Sequence, residues 1–111
     1  MEHALALAQR FETSSNPYFV DTLGWVQFRL GDLPQARVNL ERAVALLPNN
    51  PQLQYHLGMV LARLGEHDDA VQALEKAVID GADYPGLDEA RSALADARRQ
   101  KQEPVIQGKS G

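Results

Sequence analysis

Apolar residues in the first half of the chain recur at helical spacing, in two separate stripes. Val20, Leu23, Gly24 and Leu30 form one behind Pro17, and Ala36, Leu40, Ala43, Val44 and Leu47 form another behind Asp32. The punctuation between them is of the right kind. Asn16 can cap a helix starting at Pro17, where the missing N–H is no loss, and Gly31 can end it. Asp32, with Gln35 three residues on, opens a second helix that stops at Pro48 and the Asn49-Asn50-Pro51 turn. The same order of signals returns from Asn50 to about Gly81. The pattern predicts helices over 17–30, 33–47, 51–64 and 67–80, and no strand.

The return is an internal repeat. Residues 23–31 read LGWVQFRLG and residues 57–65 read LGMVLARLG, 34 positions on. Over the 32 pairs that join 16–47 to 50–81, 13 are identical. Gly24 with Ala36, and Gly58 with Ala70, leave no bulk where two helices cross, so backbones can approach while Leu and Val fill the space around them. A single helix pair cannot bury its apolar faces alone, but stacked copies can. The fold class this implies is all-α, an α-α superhelix of antiparallel helix pairs.

The flanks extend the scheme. Pro85 falls 34 residues after Pro51, but Arg91-Ser92 stands where Leu-Gly is due, and Leu87, Ala90, Leu94 and Ala97 form only a narrow stripe. That is a capping helix over 86–100 with one wet face. Upstream, Ala4, Leu7, Ala8 and Phe11 are spaced as the second helix of an earlier unit over 3–12, from which the chain is expected to be the C-terminal piece of a longer array. The expected organisation is one domain over 1–101, with repeats at 17–50 and 51–84, a cap at 85–101 and a disordered tail at 102–111.

In its period and in Leu23-Gly24, Gly31, Ala36, Leu40, Ala43 and Pro48, the chain resembles the tetratricopeptide repeat family. The second copy matches at Leu57-Gly58, Gly65, Ala70, Leu74 and Ala77, and departs with Ala82 where proline is due. Both copies depart at the family's early Trp, held by Val20 and Gln54, and at its Tyr, held by Gln27 and Leu61. The resemblance implies a concave groove lined by the first helix of each pair, here Tyr18, Asp21, Trp25, Phe28 and Arg29, then Gln52, Tyr55, Met59, Ala62 and Arg63. Trp25 and Met59 stand where some members place the Asn of a clamp for chaperone tails, so no such clamp is expected. The wording DTLGWVQFRLGD at 21–32 is also similar to the last repeats of bacterial cell-envelope tetratricopeptide lipoproteins, which implies a periplasmic parent.

Composition narrows the chemistry. With 11 Lys and Arg against 15 Asp and Glu the net charge is −4, which disfavours nucleic acid. The absence of cysteine removes thiol nucleophiles and Cys-based zinc sites. No stretch nears the roughly 18 apolar residues of a membrane span, and the N-terminal MEHALALAQR lacks the form of a leader, so no direct membrane insertion is expected. His3, His56 and His67 show no ligand spacing, Glu66-His67-Asp68-Asp69 reads as a solvated turn and cap, and no phosphate loop or nucleophile elbow is present. No metal, no cofactor and no enzymatic activity are therefore expected. The function read from the residues is a protein–protein interaction scaffold that binds a peptide or helix in the groove, with Trp25 as anchor and Arg29 and Arg63 reading an acidic group. The rival reading is a homodimer formed through the apolar edge of residues 3–12.

Overall fold

The computed structural model describes residues 16–110, with side chains as far as Gln100. Five helices follow one another: α1 Pro17–Arg29, α2 Leu33–Leu46, α3 Pro51–Arg63, α4 His67–Ala77 and α5 Leu87–Ser110. Among the described residues there is no strand. The expected helix over 3–12, and the edge on which self-association rests, lie outside the described residues.

The helices begin and end where the chemistry of their termini dictates. Asn16 Oδ1 accepts from the N–H groups of Tyr18 at 3.0 Å and Phe19 at 3.5 Å, and Asn50 Oδ1 accepts from Leu53 N–H at 3.1 Å. Asp32 Oδ1 accepts from Gln35 N–H at 3.4 Å. Each cap is worth about 1 kcal/mol. Gly31 and Gly65 take φ of +90° and +84°, a region glycine enters without strain. That turn lets the N–H groups of Asp32 and Glu66 fold back on the carbonyls of Gln27 and Leu61 at 2.9 Å.

The expected cap at Glu66 works differently. Its side chain makes no cap bond to α4; its carboxylate pairs with Arg37 of α2, which also reaches Glu41 at 3.1 Å, while Asp68 and Asp69 place negative charge in the first turn of α4. Helix α4 stops at Ala77, short of the predicted residue 80, and the Tyr84 hydroxyl donates to the terminal Ala77 carbonyl at 2.7 Å. Helix α5 starts at Leu87, after Pro85 and a positive-φ Gly86, and its backbone stays helical to Ser110.

Each pair packs on itself, α1 on α2 and α3 on α4, and α2 and α4 then pack on the helices that follow them. The first helices also meet, α1 with α3 and α3 with α5. Central α3 is the most enclosed, with Leu53, Leu57, Val60 and Leu61 buried. The small residues do the work expected of them: a Cβ on Gly24 would lie 2.7 Å from Leu40 Cγ, and one on Gly58 would lie 2.6 Å from Leu74 Cγ. Polar residues at the departures from the family pattern find partners. Gln27 Oε1 accepts from buried Asn39 at 2.7 Å, and buried Gln54 donates to the Pro48 carbonyl at 2.8 Å. Among the described residues no helix is long and apolar enough to cross a membrane.

Candidate functional site

Because α1, α3 and the start of α5 lie together, the side chains on their shared face enclose a cleft of about 520 Å³. Helix α1 contributes Tyr18, Asp21, Trp25 and Arg29 at steps of three and four, which keeps them on one side of the helix. Helix α3 contributes Gln52, Tyr55 and His56. Pro85, Gly86 and Glu89 at the start of α5 complete the lining. Six of the residues expected from the sequence thus come together here. Met59 and Arg63, with Ala62, line a second cleft of about 310 Å³ against Ala93 and Ala97 of α5. Phe28 lines neither cleft and is buried.

Trp25 is half-buried at the centre of an aromatic cluster. Its ring stacks on Phe28 at 4.8 Å and on His56 at 4.0 Å between centroids, and lies tilted 5.6 Å from Tyr55. Tyr55 is itself buried, at 4% exposure, so it supports the cleft more than it opens onto it. The Arg63 guanidinium lies 4.9 Å from the Phe28 ring centroid, a cation–π contact that also turns this arginine toward the protein's own core. Nδ1 of the second cleft's His67 is buried without a hydrogen-bond partner among the described residues.

His56 is the residue whose role the sequence did not disclose. Its spacing from His3 and His67 carries no ligand pattern, and nothing else in the sequence marks it. In the fold, Nδ1 of His56 lies 2.6 Å from Oδ1 of Asp21, and both residues are buried. A carboxylate only accepts, so the ring nitrogen donates. Gly86 and Glu89 are also outside the expected groove, because nothing in a repeat pattern says where a capping helix approaches, and Thr22 of α1 carries no signal of its own. Gly86 has a spatial signal: a Cβ there would lie 2.7 Å from Tyr55 Cε2, so only glycine lets α5 begin against that ring.

Burial pushes the Tyr55 hydroxyl above its ordinary range, the Glu89 carboxylate pushes it further, and Arg29 opposes both. Tyr84 is raised as well, first by burial and then by Tyr55. The cleft therefore combines aromatic surface, a cation and two carboxylates, which is chemistry for binding.

Residues 22–87 match the family described as tetratricopeptide repeat. The chain is also similar to the protein CTR9 homolog of Arabidopsis thaliana, 34% identical over 70 residues. That match covers 60% of this chain and 6% of the plant protein, so the chain spans a small fraction of that relative. These matches carry the repeat and leave the likeness to cell-envelope lipoproteins resting on the wording of residues 21–32.

Proposed function

Since the chain belongs to the tetratricopeptide repeat family, whose repeats mediate protein–protein interaction, we propose that it is a non-catalytic module holding a peptide or helix of a partner protein in the cleft between α1, α3 and α5. The observation that carries this reading is Trp25, half-buried in the cleft lining and backed by Phe28 and His56. An aromatic side chain held by its neighbours yet still partly exposed loses little entropy on binding, which is why Trp and Tyr dominate interface hot spots. Tyr18, at 60% exposure, offers a second aromatic surface beside it. Met59 and Arg63 continue the lined face into the second cleft, where an adaptable thioether suits a partner's apolar side chain.

The net charge of −4 weighs against RNA as the ligand. The self-association reading rests on residues 3–12, which lie outside the described residues.

The test is site-specific photo-crosslinking in cell extract. A photoreactive residue in place of Tyr18 is expected to capture a discrete protein, while the same residue in place of exposed Val38, on α2 and lining neither cleft, is expected to capture none. Equal capture from both positions would sink the proposal.

A further inference from the structure

The sequence reading gave Arg29 and Arg63 an acidic group to bind, but the charges gathered in the cleft point the other way. Arg63 belongs to the second cleft and lies over the Phe28 ring, and Asp96 lines that cleft with it. In the Trp25 cleft Arg29 stands against two carboxylates, Asp21 and Glu89. Asp21 is held by His56. Glu89 is exposed, and it sits where α5 closes the cleft. With histidine counted as neutral, the cleft carries one formal negative charge inside a chain whose net charge is −4. Arg29 is therefore outnumbered.

From this balance we infer that the partner segment bound in the Trp25 cleft presents a basic side chain, lysine or arginine, whose cationic head lies at the Glu89 carboxylate and whose stem packs along Tyr18 and Trp25. The inference rests on the proposed function and specifies the chemistry of the partner. Long basic side chains suit such a place because their methylenes cover apolar surface while the head stays polar. Trp25 is stacked on Phe28 and His56, so the exposed Tyr18 ring is the aromatic face open to a cation. The acidic charge of the whole chain also draws cationic partners toward it.

Trp25 is the chain's single tryptophan, so its fluorescence reports the cleft directly. The probes are the N-acetyl methylamides of lysine, norleucine and glutamate, which differ in charge at similar length. Titrated into the full chain at low salt, the lysine probe is expected to bind about tenfold more tightly than norleucine, and glutamate most weakly. Glu89→Gln is expected to bring lysine and norleucine within about twofold of each other, the loss expected when the charge partner is removed. Glu75→Gln removes the same charge from an exposed pair with Arg98 outside the cleft and is expected to leave the preference intact. Norleucine binding as well as lysine, glutamate binding best, or no fluorescence response to any probe overturns the inference. The groove itself is judged separately: capture of a protein from position 18 together with a missing lysine preference leaves the groove standing and removes only the charge assignment.

Discussion

Nδ1 of His56 lies 2.6 Å from Oδ1 of Asp21, and this buried contact ties the first helix of one repeat to the first helix of the next, with the His56 ring stacked on Trp25. Removing one partner strands the other. Asp21→Ala is expected to destabilise the fold by about 1–3 kcal/mol in urea unfolding, the cost of a buried polar group left unmatched. A double-mutant cycle with His56→Ala is expected to give a coupling of about 0.5–3 kcal/mol; a coupling of zero means the two groups are bystanders.

The two repeats share one steric device at Gly24 and Gly58. The missing Cβ atoms would lie 2.7 Å from Leu40 Cγ and 2.6 Å from Leu74 Cγ, and both leucines are fully buried. Alanine at either glycine is expected to cost about 1–3 kcal/mol through overpacking. Gly58→Ala should not be the milder of the two, since Leu74 Cδ2 also lies 2.6 Å from its Cβ position. Chemical denaturation checks both values.

Gly86 combines two constraints, a φ of +102° and a Cβ position 2.7 Å from the Tyr55 ring. Gly86→Ala is expected to strain the turn by about 1–2 kcal/mol and displace Tyr55. Trp25 fluorescence should move with it, because Trp25 lies 5.6 Å from Tyr55. An unshifted emission spectrum in the variant means α5 does not bear on the cleft.

Alkaline pH provides a further handle. Burial, joined by Glu89 for Tyr55, raises the hydroxyls of Tyr55 and Tyr84 above the ordinary value of 10.0. The folded state thus holds these protons more tightly than the unfolded state does. Their contribution to stability is complete below the ordinary value and falls as pH rises through the raised ones. Stability measured by urea unfolding is expected to decline above a pH of about 10, and Tyr55→Phe is expected to make that decline shallower. Tyrosinate absorbance that rises equally early in folded and unfolded chain contradicts this.

Much of the fold was legible because it is periodic. Asn16 and Asn50 cap with their side chains and Gly31 and Gly65 turn the backbone, all within a few residues of their own positions, and the 34-residue match of Gly24-Leu40 to Gly58-Leu74 writes the same crossing twice. What was not legible breaks the period. Asp21 and His56 have Tyr55 and Thr22 as their repeat equivalents, so no second copy announces their bond. Glu89 lines the cleft from the first turn of α5, a helix that no second copy repeats. Tyr84 ends α4 through a hydroxyl that reaches back seven residues, a contact that side-chain spacing alone does not encode. Phe28 sits at a groove position in the sequence pattern, yet it is buried and lines neither cleft, because the Trp25 ring stacks on it and the Arg63 cation lies over it.

The central claim is that Trp25 touches a partner, and the affinity of Trp25→Ala for the protein captured at position 18 tests it most directly. The loss expected is about 2 kcal/mol or more, roughly thirtyfold in Kd, as for an interface hot spot. Circular dichroism of the same variant is expected to remain helical, since a half-buried tryptophan contributes less to folding than the about 3–5 kcal/mol of a fully buried one. A folded Trp25→Ala chain that binds the partner as tightly as the wild type contradicts the account.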